Sequence, residues 1–327
     1  MSIKVFIKLC QDTYYKGNPI IDDDQYDHLV ELYGEDSIGS AVGSEIPHWE
    51  QMWSLQKHYT DEMKKEEVHP DYTWSRKYDG AAISLLYLDG LLTRVLTRGD
   101  GIKGKDITHL FVNPIYQTDP STDEVVPSCL DEFEPEGLPP VLQVTGEIIT
   151  CSNMPNSRNY ASGALGLKRV EDFVDKALYF RAYGIAPYQR SFYSEDMHYL
   201  EGCGFTTVFS DENQHHFKFD GDVFRININA IYDSMGYTSK HPKGAFAIKE
   251  RSEGVKTKIL DVVWQTGKSG KVTPVAILEP VEIEDAMVGR ATLNNVGFIE
   301  ALGVEIGDEV MVERAGGIIP RIIKKAE

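Results

Sequence analysis

The feature that most constrains this 327-residue chain is a hairpin signature. Two apolar-rich runs, Ala81–Leu88 and residues 91–98, flank the dipeptide Asp89-Gly90, whose residue types suit the two positive-φ positions of a type I′ turn. Strands joined this way pair antiparallel. An isolated hairpin is marginal in water, so the chain must build a larger sheet around this pair. Val141–Ile149, residues 221–228 and Ala245–Lys249 read as further strands, and residues 156–169 as a turn entering a helix. Ahead of the hairpin, Tyr26, Leu29, Val30 and Tyr33 recur at helical spacing behind the acidic Asp22, Asp23 and Asp24. Gly34 ends that pattern, which predicts a short helix. Strands and helices without strict alternation point to an α+β class.

Beyond Arg251 the texture changes to short strands alone, at residues 257–264, 272–278, 309–314 and 318–323, separated by glycine turns. That spacing predicts a small β-barrel of the OB type. Residues 119–140 are acidic and proline-rich and read as a surface insertion between strands. Cys10, Cys129, Cys151 and Cys203 form no Cys-x-x-Cys pair, so neither a disulfide framework nor a protein zinc site has a basis, and a reducing compartment is expected. The first nine residues lack a signal-peptide core, and no run of 18 apolar residues occurs. The expected location is therefore the cytoplasm, with no membrane partner.

A net charge of −18 argues at first against a polyanionic partner. Its distribution weakens the argument: residues 1–70 carry a net −8 and residues 119–136 a net −7, which leaves only −3 on the rest. Charge thus neither requires nor excludes DNA.

Lys77-Tyr78-Asp79-Gly80 places a lysine just ahead of the hairpin, where its amine can project from the mouth of the sheet. As a nucleophile it must lose its proton. At a reference pKa of about 10.4, about one lysine in a thousand is neutral near pH 7.5, so burial or nearby cations must help. In Thr97-Arg98-Gly99-Asp100-Gly101, which continues through Lys103, Gly104, Lys105 and Asp106, the glycines are expected to let backbone N–H groups reach phosphate oxygens beside Arg98. Period-two alternation puts Ala245, Ala247 and Lys249 opposite Phe246 and Ile248, and Arg225 opposite Phe224 and Ile226. Two strands each aim one cation away from the core.

In this order, these elements resemble the NAD-dependent DNA ligases of bacteria and their viruses, over nearly the whole chain. The family's lysine-x-Asp-Gly motif, which carries the AMP acceptor, matches Lys77, Asp79 and Gly80. Its Thr-Arg-Gly-Asp-Gly stands unchanged at residues 97–101 and places Arg98 at the nucleotide. The ribose-binding Gly-Glu pair matches Gly146-Glu147, and Asn-x-Arg-Asn matches Asn156, Arg158 and Asn159. Tyr183-Gly184, Asp220-Gly221 with Val223, and Lys249 match the later motifs, while Ser54-Leu55 resembles the segment beside the adenine. The nicotinamide signature matches Tyr14, Tyr15, Pro19, Ile21, Asp23, Tyr26 and Asp27, one residue shorter between tyrosine pair and proline. On a helix Asp23, Tyr26 and Asp27 share one face, and this segment separates NAD ligases from ATP ligases. Residues 265–276 and 278–281, with the runs starting at Arg290 and Arg314, resemble the family's OB domain.

The resemblance implies a helical NMN-binding segment (1–50), a mixed α/β nucleotidyltransferase domain (51–251) and an OB-fold domain (252–327). It implies NAD as adenylyl donor, Mg²⁺ or Mn²⁺ near Glu147 and Asp220, and nicked duplex DNA as substrate in replication, repair and recombination. In the implied chemistry Lys77 takes AMP and releases NMN, AMP passes to a 5′-phosphate, and a 3′-hydroxyl displaces it. Arg98, Arg158, Arg225, Lys249 and the metal supply charge, and Glu147 fixes the ribose. The implied setting is a bacterial or phage-infected cell.

Four family residues are replaced: a glutamate by Ser75, arginines by Thr145 and Gly166, and a lysine by Arg225, with Lys168 or Arg169 as substitutes for the lost arginine. The cysteine zinc module, helix-hairpin-helix array and BRCT domain have no counterpart here. The expectation is a short ligase or an adenylation subunit ending at the OB domain, with a second subunit carrying helix-hairpin-helix-type elements as partner. Two other readings are an ATP-dependent ligase or capping-type transferase, which the Tyr14 to Asp27 segment opposes, and a non-catalytic DNA-binding relic. The intact Lys77, Glu147 and Lys249 oppose the relic.

Overall fold

The computed structural model describes residues 3–16, 20–33, 45–112, 125–130, 138–151, 154, 156–210, 217–251, 253–266, 270, 272–283, 286–315 and 319–326. Pro19, Gly34, most of the acidic insertion and residues 267–269 and 316–318 lie outside them. The fold is α+β and forms two compact units, Met1–Glu250 and Arg251–Glu327.

The first unit begins with helices α1 (Ile3–Tyr15) and α2 (Asp23–Tyr33). Its strands are β1 (Glu45–Pro47), β2 (Gln56–Tyr59), β3 (Tyr72–Tyr78), β4 (Ala81–Leu88), β5 (Leu91–Thr97), β6 (Lys103–Lys105), β7 (Val141–Ile149), β8 (Tyr179–Ala186), β9 (Phe219–Ile226) and β10 (Ala245–Lys249). Helices α3 (Ser157–Ala164), α4 (Val170–Val174), α5 (Tyr193–Gly202) and α6 (Asn229–Met235) complete it. One sheet runs β5-β4-β7-β8, all antiparallel; a second runs β2-β10-β9-β3, with β2 parallel to β10. The hairpin forms where its signature lies. Leu88 pairs with Leu91, and the turn residues Asp89 and Gly90 take φ of +49° and +74°.

Alternation on the first sheet serves two cores. Ile83, Leu85, Tyr87, Leu142 and Val144 pack with Phe173, Met197 and Leu200 of α4 and α5. From the opposite face, Leu86, Leu88, Leu96 and Val141 pack with Phe6, Ile7, Leu29 and Tyr33 of α1 and α2. The helix α2 is the one its spacing predicts, capped reciprocally: Asp22 Oδ1 accepts from the Gln25 N–H at 2.7 Å, and Gln25 Oε1 accepts from the Asp22 N–H at 3.2 Å. The sequence reading overlooked α1, although Ile3, Phe6, Ile7 and Cys10, all buried, stand at i, i+3, i+4 and i+7.

The acidic insertion needs correction in its described part. Val126 and Leu130 are buried in the first core, and the Leu130 N–H donates to Gly90 O at 2.8 Å. Its flanking charges hide a short apolar anchor.

The second unit is a closed barrel, β11 (Val255–Thr266), β12 (Val272–Ile283), β13 (Ala286–Thr292), β15 (Ile319–Lys325) and β14 (Glu309–Ala315) in spatial order. It is not strands alone, because helix α7 (Val296–Leu302) lies between β13 and β14. Two turns are too short to show a period, but the cap is legible: the Asn295 side chain accepts from the Phe298 N–H at 3.0 Å, and Gly303 ends the helix in the left-handed region. Among the described residues no helix is long and apolar enough to cross a membrane.

Candidate active site

Lys77 stands one residue before the end of β3, and at Asp79-Gly80 the chain leaves the second sheet to enter the first as β4. The corner is tight. A Cβ on Gly80 would strike the Ile148 carbonyl of β7, so only glycine fits. Pairing of Thr73 with Arg225, Ser75 with Val223 and Val223 with Ala247 puts these residues on the face that carries Lys77 and Lys249.

Asp220 bridges the two lysines. Its Oδ1 lies 3.2 Å from Lys77 Nζ, and its Oδ2 accepts from Lys249 Nζ. Burial disfavours the Asp220 charge, but the two ammonium groups outweigh it and hold the carboxyl below the usual range. Burial, reinforced by the Lys77 charge, lowers the pKa of Lys249 against the pull of Asp220. Two cations face one carboxylate in a half-buried corner, so one positive charge is left over for an anion.

Around this cluster the other motif residues assemble. Arg158 of α3 places Nε 3.2 Å from Asp79 Oδ1 and donates to Gly80 O at 3.4 Å, tying helix to corner. Its N-cap, Asn156, takes the left-handed conformation that asparagine tolerates. Glu147 pairs with Ala82 of β4; burial of its carboxyl pushes the pKa up to about 7, although Lys77 and Arg158 pull the other way. Tyr183 lies in the field of Glu147 and Arg98, and burial raises its hydroxyl well above an ordinary phenol. The Arg98 N–H donates to Ala82 O at 3.0 Å, while its Nε is buried without a hydrogen-bond partner among the described residues. A buried unpaired guanidinium N–H is costly unless a ligand meets it.

The glycine loop behaves differently from its expectation. The N–H groups of Ile102 and Lys103 donate to Asp100 Oδ1, each at 2.9 Å, Gly101 N–H to Arg98 O at 3.0 Å, and Lys105 N–H to Thr97 Oγ1 at 3.0 Å. These amides close the loop on itself. It therefore acts by shaping the backbone around Arg98, with Met52 and His48 N–H groups donating to its carbonyls.

His48, which sequence reasoning missed, joins the parts. Buried, it contacts Ser84 Oγ through Nδ1 at 2.7 Å and Arg98 O through Nε2 at 3.1 Å, and burial lowers its pKa. A lone histidine ahead of Ser54 carries no pattern that would have revealed it.

Three expected groups lie apart from the cluster. Ser54 donates to Lys240 O at 3.0 Å and its carbonyl meets His241 Nδ1 at 2.8 Å, so it fastens a loop; Leu55 is the residue before β2. Arg225 shares the lysine face and lies between the rings of Tyr193 and Tyr232, 4.1 Å from each centroid. On the helical pair Tyr14, Asp23 and Asp27 are exposed and Tyr26 is half-buried, at the end of the first sheet's face remote from Glu147; the Tyr15 side chain lies outside the described residues.

The carboxylates do not fit a pre-built Mg²⁺ or Mn²⁺ nest. Both Asp220 oxygens face ammonium groups, and among the described residues no three acidic, histidine or cysteine side chains gather as metal ligands. A hard cation that keeps most of its waters binds through one or two carboxylates and substrate phosphates, so no step below is assigned to a metal.

Comparison with known families places this two-sheet domain and closed barrel in the class of nucleotidyltransferase-type ligases. The model of the NAD-dependent DNA ligase adenylation domain matches residues 41–152, and that of the NAD-dependent DNA ligase OB-fold domain matches residues 256–327. The chain belongs to the NAD-dependent DNA ligase family. It is 31% identical over 380 residues to a DNA ligase of Helicobacter hepaticus, covering 98% of this chain and 57% of that protein. It is also 31% identical over 369 residues to a DNA ligase of Francisella tularensis subsp. holarctica, covering 94% and 53%. The chain thus spans a little over half the length of the curated relatives it matches.

Proposed function

We propose that this chain takes the adenylyl group of NAD onto Lys77 and passes it to the 5′-phosphate of nicked duplex DNA. The observation that carries the reading is the surplus positive charge of the Lys77–Asp220–Lys249 cluster, set at a corner that Arg158 fastens. A neutral Lys77 Nζ attacks the phosphorus of the AMP half; the bond from that phosphorus to the bridging oxygen breaks, and NMN leaves with the oxygen. Asp220, in contact with Nζ, receives the proton that Lys77 must lose. Lys249 and the buried, unpartnered Nε of Arg98 meet the charge that grows on the phosphate oxygens, and Glu147 accepts from a ribose hydroxyl. Adenylylated Lys77 then gives AMP to the 5′-phosphate, and the 3′-hydroxyl displaces it as the nick closes.

The NMN half is assigned to Asp23, Tyr26 and Asp27. Deleting residues 1–50 is a poor test, because α1 and α2 share a core with Leu86 and Leu88. The paired substitution of the exposed Asp23 and Asp27 by alanine leaves that core intact. It is expected to reduce self-adenylation by NAD more than a hundredfold while sparing the sealing of a pre-adenylated nick, read by mass shift and by gel. Equal loss of both activities would assign the two aspartates to DNA contact, and efficient adenylation of the wild type by ATP would overturn the choice of donor.

A further inference from the structure

Arg225 is held by more than its strand. Its Nη2 donates to Asn229 Oδ1 at 2.9 Å and its Nη1 to Ile226 O at 3.0 Å, while Tyr193 and Tyr232 sandwich the plane. Asn229 is 3% exposed. Both protons of its amide nitrogen are taken, one by Asp196 Oδ2 at 2.6 Å and one by Arg190 O at 3.0 Å. An amide can turn either end to a neighbour; with its nitrogen committed in this way, Asn229 must offer its oxygen to the guanidinium. Asp196 is wholly buried, and its other oxygen accepts from the N–H groups of Gln189 and Arg190 at 2.8 and 2.9 Å. Among the described residues no salt bridge neutralises Asp196, and Arg225 acts on it only at a distance. A buried carboxylate so far from water is expensive, and orienting Asn229 is a task that justifies it.

The network ends at the site. Tyr193, one wall of the sandwich, donates its hydroxyl to Tyr183 O at 2.9 Å. Arg225 pairs with Thr73, four residues before Lys77 on β3, which puts it about 13 Å along the strand from the lysine level. With the adenylyl phosphate at Lys77, a nucleotide laid along this face toward Thr73 would bring its base to Arg225. We propose that Asn229 and Asp196 are positioning residues that orient Arg225 at the base end of the nucleotide pocket and so set the affinity for the adenylyl donor. The inference rests on the adenylation proposed above.

The test uses the full chain and single-turnover adenylation with NAD. Asn229→Ala is expected to raise KM about tenfold, the worth of one hydrogen bond to a charged group, with kcat falling far less. In the Arg225→Ala background the same substitution is expected to change KM no further. Exchanging the two residues, Asp196→Asn with Asn229→Asp, keeps an acceptor toward Arg225 and is expected to recover most of the loss of Asp196→Asn alone. Should Asn229→Ala not fold, Tyr232→Leu, which removes one wall at a half-buried position, carries the same cycle. Multiplied effects in the Arg225→Ala background, or an unchanged KM, would overturn the positioning role. Absence of adenylation in the wild type would instead defeat the function on which the role rests.

Discussion

Two charged clusters within the first unit obey different rules. Arg94 and Asp106 form a closed pair at 2.9 Å, with side chains 8% and 10% exposed, the Tyr33 ring 5.4 Å from the guanidinium, and a further bond from the Thr108 N–H to Asp106. Lys77, Asp220 and Lys249 set two cations against one carboxylate, with 22%, 27% and 17% of their side chains exposed. The first balances its charge and lies where α2 meets the sheet. The second keeps a surplus and some access to water. A balanced, dry pair holds structure, whereas an unbalanced one is stored attraction for a ligand that brings the missing negative charge.

The largest expected effect separates the two at once. Lys77→Ala is expected to lower self-adenylation at least about 1,000-fold, since it removes a covalent nucleophile, and to leave folding stability within about 0.5 kcal/mol because it relieves like-charge crowding. Mass spectrometry of the AMP adduct and urea unfolding read the two quantities. Adenylation of the variant at the wild-type rate would show that the surplus cluster does not hold the nucleophile.

Arg94→Ala should reverse that pattern. It leaves Asp106 buried without its partner, which costs about 3 to 5 kcal/mol of stability, while adenylation per folded molecule stays at the wild-type level. Denaturant titration beside active-site titration checks it. A loss of adenylation larger than the loss of folded protein would mean that the two clusters communicate.

What the sequence disclosed follows the same division. Strands, the hairpin and the turning of Arg225 and Lys249 away from the core were legible because alternation and turn chemistry are local. Motif matching gathered Lys77, Glu147, Arg158, Asp220 and Lys249, and the structure brings these five together. Illegible were facts that depend on partners distant in sequence. His48 reaches Ser84 and Arg98 across 36 and 50 residues, and Arg225 disappears between tyrosines contributed by α5 and α6. The glycine loop misled for a related reason: composition shows that backbone can approach a ligand, but not that Asp100 and Thr97 have already taken its amides.

A milder substitution probes the surplus itself. Asp220→Asn removes the carboxylate that bridges Lys77 and Lys249 and the group placed to receive the proton. Adenylation is expected to fall about 100-fold, the lower end of the worth of a positioned proton acceptor. The charge argument adds a sign. Because the two lysines hold Asp220 below its ordinary range, the wild-type carboxylate contributes stability that is present above its unfolded pKa and lost as pH falls through the folded one. The variant should lack that acid-side loss, so wild type and variant should converge in stability at low pH, measured by urea midpoints from pH 6 to pH 3.

Glu147, in the field of the same Lys77, supplies the opposite sign, and its effect is expected to be the smallest. Burial raises its pKa from 4.5 to about 7, despite the pull of Lys77 and Arg158. Between those values the native protein keeps a proton that the unfolded chain has released, so the contribution of this group to stability declines as pH rises through the window and is fully lost above about pH 7. Glutamine carries no charge at any of these pH values. Glu147→Gln is therefore expected to match the wild type near pH 4.5 and to exceed it at pH 8 by on the order of 2 kcal/mol, less than the full shift implies because part of the residue meets water. Adenylation should fall in the same variant, since a neutral amide is a weaker acceptor for a ribose hydroxyl. Stability that rises with pH while activity falls would mark Glu147 as a carboxylate kept at structural cost for a ligand. A stability difference that stays constant from pH 4.5 to pH 8 would mean that the surplus charge of the lysine cluster already holds Glu147 ionised, and the contrast between the two clusters would then extend over the whole site.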